Sequence, residues 1–416
     1  MKTINHKHPL CDKIYSMDAI ENLLTRGVDT IYPNREALEK VLRSGKKLRL
    51  FQGFDPTGTQ LHIGHAVALR KLRQFQDLGH HVIFLIGDGT GQAGDPSGKT
   101  KSREKFMTRD ELRDNARDYV RQAGKIVRFT GENPVEILYN SEWLNKLTLV
   151  EILDIAGHFS WQQLAERDLY QERIKRGETL NFREALYPLL QGYDSVAMKV
   201  NLELGGTDQT FNMLAGRMLV KAMLGKEKFV MTVPLLTDAK GVKIGKTEDN
   251  CIGLTDAPAE FYAKIMSLGD DAIIPCFTLL TDIPTEEIET KMKRGENPML
   301  FKKQLALELT KMLNDEELAK KAQEEFENLH QKNIIIDFNG PELEIPELDN
   351  NIKSFLKVLV EKNYIKSMSE ARRLLEQGAI KLHNMKTNKE DVVEGIKNGD
   401  IIRVGSKLFV RIKIIN

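Results

Sequence analysis

The chain has 416 residues, of which 41% are apolar and 29% are charged. This length accommodates two or three domains with their own cores, and the composition excludes a protein dominated by disorder. The cysteines, Cys11, Cys251 and Cys276, lack paired spacing, which argues against a disulfide framework and a zinc knuckle. Because no apolar run reaches membrane-spanning length and the first residues do not form a signal peptide, we expect a cytoplasmic protein.

The formal net charge of +1 is unevenly distributed along the chain. Residues 352–416 contain 14 Lys and Arg against 7 Asp and Glu, so the remainder is net negative. A basic segment of this kind predicts a polyanionic partner. We favour RNA over a merely solubilising surface, because the segment also has the pattern of a folded module.

In chain order, residues 1–34 are predicted to form a helical arm, and a helix over 35–44 leads into a strand over 48–51. A glycine-rich turn follows, and then a helix with His62 and His65 at its start. Unpaired N–H groups at a helix start suit an anion such as phosphate. Taken alone, two histidines at this spacing are usually a surface or capping pair. A metal site is poorly supported, since no Cys or acidic partner lies at helical spacing.

Three further strands are predicted, over 81–87, 125–129 and 135–139. The glycine-rich stretch after the first of them is not a P-loop, because Ala93 stands where that motif requires a glycine. Alternating strands and helices predict a parallel sheet covered on both faces, a Rossmann-like fold. Ligands of such sheets bind beyond the carboxyl ends of the strands, where the glycine-rich turns lie.

A predicted helix over 186–196 carries Tyr187, Gln191 and Asp194 at spacings of four and three, which places them on one face. A strand over 201–204 then runs into the turn Gly205–Gln209. Further on, Lys243–Thr247 forms a glycine-containing basic loop after an apolar strand-like run. In isolation such a loop is more often simply solvated.

Together these motifs resemble the class I aminoacyl-tRNA synthetases, and among them the bacterial type of the tyrosyl-tRNA synthetase family. His62–His65 is similar to the first class signature and Lys243–Thr247 to the second, which lies on a mobile loop. The match is narrowed by four further segments, Gly53–Thr57, Gly94–Lys99, Tyr187–Asp194 and Gly205–Gln209. The resemblance extends from about Ile31 to the C-terminus.

The resemblance implies an α/β architecture in four parts. Residues 1–250 would form the Rossmann-like catalytic domain, with the N-terminal arm and a helical insertion, 147–177, that helps form a homodimer interface. From the residues alone, an exposed pair of helices fits 147–177 equally well. Residues 251–330 would form a helical anticodon-side domain, and 331–351 a linker. Residues 352–416 would form a small α+β RNA-binding module, shared with a small-subunit ribosomal protein, in which Arg372, Arg373 and Lys381 contact phosphates.

The implied activity joins tyrosine to ATP, giving tyrosyl-adenylate and pyrophosphate, and then transfers the tyrosyl group to the 3′ end of tRNA(Tyr). ATP would be accompanied by Mg²⁺, with no metal site built by the protein. The implied catalytic residues are Thr57, His62, His65, Lys243, Lys246 and Thr247. Contacts to ATP would come from Gly53, Asp55, His62, Gly64, His65, Gly206, Asp208 and Lys246. Tyrosine would be bound by Phe51, Asp95, Tyr187, Gln191, Asp194 and Gln209.

One position departs from the family pattern. Phe51 stands where many members have a tyrosine, so a second hydroxyl partner for the substrate phenol is missing. Either Asp194 discriminates alone or Gln52 substitutes. Our hypothesis is that selectivity for tyrosine over phenylalanine is weaker than the family norm.

Three alternatives remain open from the sequence. A nucleotidyl transferase acting on a small phosphorylated substrate also uses a His-x-Gly-His turn, but the basic C-terminal segment argues against it. A non-catalytic RNA-binding paralogue is disfavoured by the intact histidines and lysines. The tryptophanyl enzymes are the nearest sister family, and Asp194 favours a phenol over an indole.

Overall fold

The computed structural model describes two compact units, residues 1–320 and 321–416. The predicted boundaries at 250 and 330 do not coincide with this division, and the four-part organisation remains a prediction. Described within the chain are residues 18–58, 60–97, 106–165, 168–179, 181–238, 241–244, 251–328, 342–346, 352–362, 364–377, 379–382, 385–386, 401–404 and 408–415.

A six-stranded sheet organises the first unit, in the order β1-β6-β5-β2-β3-β4. Neighbouring strands are parallel except at one edge, where β1 runs antiparallel to β6. This arrangement confirms the predicted parallel-sheet fold. The strands are β1 (Thr30–Tyr32), β2 (Arg49–Phe54), β3 (His81–Ile86), β4 (Glu136–Tyr139), β5 (Leu202–Gly206) and β6 (Phe229–Val233).

Helices cover this sheet and extend the unit beyond it. Those up to the last sheet strand are α1 (Ala19–Thr25), α2 (Arg35–Arg43), α3 (Ile63–Asp77), α4 (Thr90–Ala93), α5 (Arg109–Ala123), α6 (Ser141–Leu144), α7 (Leu149–Ala156), α8 (Trp161–Ala165), α9 (Asp168–Lys175), α10 (Phe182–Ala197) and α11 (Thr210–Leu224). After β6 come α12 (Pro258–Met266), α13 (Ile273–Leu280), α14 (Glu286–Lys293), α15 (Pro298–Leu313) and α16 (Glu316–Glu327), the last of which spans the boundary between the two units.

The central strands are apolar runs whose residues are buried on both faces of the sheet. All of Val82–Ile86 in β3 is buried, as expected for an apolar run in a parallel sheet with helices above and below. On one face the ring of Phe84 stacks on Phe54 of β2, with ring centroids 4.2 Å apart. On the other face Ile83 packs in a cluster with Phe51 of β2. The sheet therefore presents the carboxyl end of β2 between two well-packed layers.

Two local predictions were wrong. Residues 125–129 are not a strand: backbone N–H groups of Ile126 and Val127 donate to Ala123 O, which ends α5 in a tight turn. Both side chains are buried, and a short buried apolar run does not by itself distinguish a strand from a turn. The predicted helical arm, described from residue 18 onward, contains β1 as well as α1. The β-branched Thr30 and Ile31 of β1 pair with β6 at the sheet edge.

A second sheet lies in the unit 321–416, in the order β7-β11-β10-β8-β9. Two helices pack with it around a core that includes Leu359, Ala371 and Ile402. Its elements are β7 (Glu342–Pro346), α17 (Ile352–Glu361), α18 (Met368–Glu376), β8 (Ile380–Leu382), β9 (Met385–Lys386), β10 (Ile401–Val404) and β11 (Leu408–Ile415). Strand β7, which lies within the predicted linker, pairs in parallel with β11.

Among the helices that the structure describes, none combines the length and the apolar character needed to cross a bilayer.

Candidate active site

One cavity of about 580 Å³ gathers the predicted ligand-binding residues. It lies where β2 and β5 end and where the helices α3 and α10 pass. Of the predicted catalytic, ATP and tyrosine residues, those that line it are Phe51, Gly53, Asp55, Thr57, His62, Gly64, His65, Asp95, Tyr187, Gln191, Asp194, Gly206, Asp208, Gln209 and Lys243. Lys246 and Thr247 lie outside the described residues.

The two histidines cap the start of α3. His62 Nδ1 accepts from the backbone N–H of Gly64 at 3.1 Å, and His65 Nδ1 accepts from the backbone N–H of His62 at 3.1 Å. A ring nitrogen that accepts carries no proton, so each neutral ring is protonated at Nε2. The capping role and a ligand role are therefore compatible, because Nδ1 serves the backbone and Nε2–H is a donor.

Gly64 is required by this arrangement. A Cβ at residue 64 would lie 2.9 Å from Cε1 of His62, so any side chain would displace the imidazole ring. The turn is further held from outside the motif, by a backbone hydrogen bond from Ile63 N–H to Ile252 O at 3.0 Å. Sequence reasoning did not foresee that residues after the basic loop support the histidines.

Asp55 and Tyr187 are joined across the cavity. The Tyr187 hydroxyl donates to Asp55 Oδ2 at 2.9 Å, and Thr90 Oγ1 donates to Asp55 Oδ1 at 2.7 Å. Burial, and then the neighbouring Asp55 carboxylate, raise the pKa of the Tyr187 phenol well above its ordinary value. Because the phenol stays protonated and its hydrogen points to Asp55, its oxygen can still accept from a ligand.

Asp194 is a buried carboxylate whose two oxygens are both held. Asn140 Nδ2 donates to Oδ2 at 3.0 Å, and Trp143 Nε1 donates to Oδ1 at 2.7 Å. Only 1% of the residue is exposed. Burial raises the pKa of Asp194 well above its ordinary value, and the hydrogen bonds from Asn140 and Trp143 oppose this rise. The side chain is thus fixed in one orientation at the cavity wall.

Gln191, from the same helix face, connects to a buried ion pair. Its Nε2 donates to Glu203 Oε1 at 3.0 Å, and Glu203 Oε2 accepts from Lys228 Nζ. Burial lowers the pKa of the Lys228 ammonium, and the Glu203 carboxylate opposes this. Gln191 Oε1 is buried and accepts from no residue that the structure describes.

Phe51 and Gln52 lie on opposite faces of the sheet. Phe51 is fully buried and packs with Ile83, and Lys228 Nζ lies 5.9 Å from its ring centroid. Successive strand residues point to opposite faces, so Gln52 is directed to the side of Phe84. Gln52 nevertheless lines the same cavity, so its substitution for the missing hydroxyl stays a prediction.

Two further pairs of polar residues line the cavity. Gln209 Nε2 donates to Asp95 Oδ2 at 2.8 Å, which links the turn after β5 to the glycine-rich stretch after β3. Lys243 Nζ lies 3.3 Å from Asp208 Oδ2 and neutralises part of its charge. A ligand that binds Asp208 has to compete with this ion pair.

Four residues that contact the predicted site residues were not singled out from the sequence. Thr90, Asn140 and Glu203 line the cavity, and Trp143 reaches it through Asp194. Asn140 follows directly after β4, so the carboxyl-end rule that located the other turns also applied to it. Glu203 carried no such signal, because a single acid between two leucines in a strand is typical of a solvent-facing position.

In the unit 321–416, Arg372 and Arg373 lie exposed on α18. Arg373 is 3.8 Å from Glu370, one turn earlier on the same helix. Lys381 lies on β8, opposite Arg403 of β10. Within the described residues of the chain, no group of three or more His, Cys, Asp or Glu side chains is arranged to hold a metal ion.

Comparison with known proteins agrees with the fold. Residues 43–331 match the family model of class I tRNA synthetases for tryptophan and tyrosine. The structure is similar in fold to a truncated mitochondrial tyrosyl-tRNA synthetase of Aspergillus nidulans, with a TM-score of 0.60 and 24% identity. That similarity covers 75% of this chain and 94% of the other.

Relatives at higher identity extend over nearly the whole chain. The tyrosine–tRNA ligase of Dehalococcoides mccartyi is 39% identical over 95% of this chain and 98% of its own length. That of Thermotoga maritima is 41% identical over 94% of this chain and 96% of its own length. The chain therefore belongs to the class I aminoacyl-tRNA synthetases and, within them, to the family of the tyrosine–tRNA ligases.

Proposed function

We propose that this chain activates L-tyrosine with ATP to tyrosyl-adenylate and pyrophosphate, and then transfers the tyrosyl group to the 3′ end of tRNA(Tyr). The observation that carries the proposal is the state of Asp194 in the cavity. Its oxygens are held by Asn140 and Trp143, so it presents a fixed acceptor to a phenol hydroxyl. The reaction is inferred from the family to which the chain belongs. The choice of substrate is inferred from the Asp194 carboxylate, which favours tyrosine over phenylalanine and tryptophan.

The α-ammonium group of tyrosine has three N–H donors, and three acceptors of the cavity suit it. They are the Asp95 carboxylate, the Tyr187 oxygen and Gln191 Oε1. Tyr187 supports this role because its own hydrogen is committed to Asp55. Gln209 is assigned to the carboxylate side of the substrate, where its hydrogen bond to Asp95 keeps the amide in place.

ATP is assigned to the hydrogen-bond donors at the start of α3. His62 and His65 each place an Nε2–H at a helix N-terminus, where the partial positive charge favours phosphate. Thr57 adds a hydroxyl, and Gly53, Gly64 and Gly206 allow the nucleotide to approach the backbone. Asp208 would bind the ribose once Lys243 leaves it for the phosphates.

Activation is an in-line attack of the tyrosine carboxylate on the α-phosphorus of ATP, with pyrophosphate leaving. Side chains form no covalent bond in this step. They hold the two substrates in line and stabilise the negative charge that grows on the phosphate oxygens. His62 and His65 act by hydrogen bonding, and Lys243, with Lys246 and Thr247 from the same loop, acts on the pyrophosphate. Mg²⁺ enters with ATP as part of the substrate.

Homodimer formation is part of the proposal. The helices α7–α9 and the start of α10 expose large apolar side chains, which is costly for a surface that stays in water. Trp161 and Phe182 are stacked with ring centroids 6.1 Å apart while each is more than half exposed. The exposed apolar residues of this region are Leu149, Val150, Leu153, Trp161, Ile174 and Phe182. A second copy of the chain is the occupant that the family resemblance implies.

The experiment that tests the activity is amino-acid-dependent exchange between ATP and pyrophosphate without tRNA. Tyrosine, phenylalanine and tryptophan are compared at saturating ATP. Exchange with tyrosine supports adenylate formation, and exchange with tryptophan instead would overturn the substrate assignment. Absence of exchange with all three would favour the nucleotidyl-transfer or RNA-binding alternatives over this proposal.

A further inference from the structure

The orientation of the Gln191 side-chain amide is fixed by a hydrogen bond to Glu203. Its Nε2 donates to Glu203 Oε1 at 3.0 Å. Glu203 Oε2 accepts from Lys228 Nζ, and Ser195 Oγ lies 3.3 Å from the same oxygen. An ionised carboxylate accepts hydrogen bonds and donates none, so the amide must turn its NH₂ group toward Glu203.

Gln191 Oε1 is therefore turned away from the Glu203 carboxylate. This oxygen is buried and has no hydrogen-bond partner among the described residues. A buried acceptor without a donor costs free energy. Gln191 lines the cavity, so a ligand with an N–H group can supply the donor that this oxygen lacks.

We propose that Glu203 and Lys228 are positioning residues for amino-acid binding, which hold Gln191 so that its Oε1 accepts a hydrogen bond from the α-ammonium group of tyrosine. The inference rests on the proposed function, which supplies tyrosine as the ligand. Lys228 is fully buried, donates to Ser195 Oγ at 2.7 Å and to Met213 O at 3.2 Å, and acts through Glu203. The ion pair thereby fixes which end of the amide faces the substrate.

The test removes the charges of both partners together, as Glu203→Gln with Lys228→Met, because removing one would leave the other buried without a counter-charge. Glutamine at residue 203 can donate as well as accept, so Gln191 loses its single orientation. Three ligands are compared by inhibition of exchange or by equilibrium binding: tyrosine, tyramine, and 3-(4-hydroxyphenyl)propionate, which lacks the ammonium group. We expect tyrosine and tyramine to bind about 10-fold more weakly or worse, and the propionate to bind as it does to the wild type.

A second variant, Gln191→Met, removes Oε1 and leaves the ion pair in place. It is expected to give the same selective loss of affinity for tyrosine and tyramine, with the propionate bound as by the wild type. The matched control is Arg173→Met with Glu184→Gln, which removes another buried ion pair that does not line the cavity. It should leave all three affinities unchanged.

Equal weakening of all three ligands in the first variant would overturn the inference, because the ion pair would then support the cavity generally. Unchanged tyrosine binding would overturn it as well. Both outcomes can be distinguished from a failure of the proposed function. If the proposed function is wrong, the wild-type protein already shows no tyrosine-dependent exchange.

Discussion

Trp143 Nε1 donates to Asp194 Oδ1 at 2.7 Å, and this bond joins the helix after β4 to the carboxylate assigned to the substrate phenol. Trp143 also packs against the cluster that contains Phe51. One indole therefore supports both the polar and the apolar part of the proposed tyrosine site.

Trp143→Phe removes the donor and keeps an aromatic ring. Asp194 is then held by Asn140 alone, so we expect the KM for tyrosine to rise about tenfold, the upper range for one lost hydrogen bond. Phenylalanine has no hydroxyl and should show an unchanged KM, which makes it the control ligand. The measurement is ATP–pyrophosphate exchange with each amino acid. Equal increases for both would mean that the indole acts by packing.

Phe51→Tyr tests whether the departure from the family pattern lowers selectivity. Phe51 lies on the sheet face where Trp143, the donor to Asp194, packs, so a hydroxyl added there could reach the substrate phenol. We expect the ratio of kcat/KM for tyrosine over phenylalanine to rise about tenfold, since one hydrogen bond is gained. The hypothesis of weakened selectivity fails if the ratio does not change.

Lys243→Ala removes a cation that we assign to pyrophosphate. The contact to Asp208 would be lost in the free protein, but the rate of activation depends on charge in the transition state. We expect kcat for exchange to fall about 10²-fold, with the KM for tyrosine nearly unchanged. Lys221→Ala is the control, since Lys221 is exposed on α11 and outside the cavity. A large rise in the KM for tyrosine, with kcat intact, would contradict the assignment.

Much of this site could be predicted because strands, glycine turns and helices leave strong local patterns. Tyr187, Gln191 and Asp194 were placed on one helix face by spacing alone, and all three line the cavity. The carboxyl-end rule placed the turns after β2 and β3 at one edge of the sheet. The sequence pattern also predicted a helix with His62 and His65 at its start, which is α3.

The rest depends on contacts between distant residues, which single-sequence patterns do not contain. Glu203 and Lys228 are 25 positions apart, and their pairing follows from β5 lying beside β6. Ile126 and Val127 were misassigned because burial of an apolar run does not fix its backbone conformation. The support of His62 and Ile63 by residues 252–253 likewise required the tertiary structure.

Lys71 predicts a pH dependence of stability that is independent of the active site. It is buried on α3, and Nζ donates to Leu23 O at 2.9 Å. Burial chiefly lowers its pKa from the ordinary 10.5 to about 7. Between these values the unfolded chain binds a proton that the folded chain does not, so the free energy of unfolding rises with pH, by at most about 1.4 kcal/mol per pH unit.

Lys71→Met removes the titrating group, so its unfolding free energy should be flatter than that of wild type between pH 7 and 10. The measurement is chemical denaturation of both proteins at pH 7, 8, 9 and 10. Parallel curves would show that Lys71 is not the source of the slope. Compared with the wild type, the variant is expected to be more stable at pH 7 than at pH 10, since at pH 7 the wild type still carries part of the buried charge.

Arg372→Ala with Arg373→Ala tests the proposed RNA-binding role of the unit 321–416, and neither residue lines the cavity. Both side chains are exposed on α18, and we assign them to phosphate contacts, so each lost contact should weaken tRNA binding regardless of sequence. We expect the slope of log K against log salt to decrease in magnitude by about 2, one per arginine. Exchange without tRNA should stay at the wild-type rate. Lys413→Ala is the matched control, because Lys413 is exposed but already paired with Glu344 at 2.9 Å. An unchanged salt slope in the double variant would place the phosphate contacts elsewhere in the module.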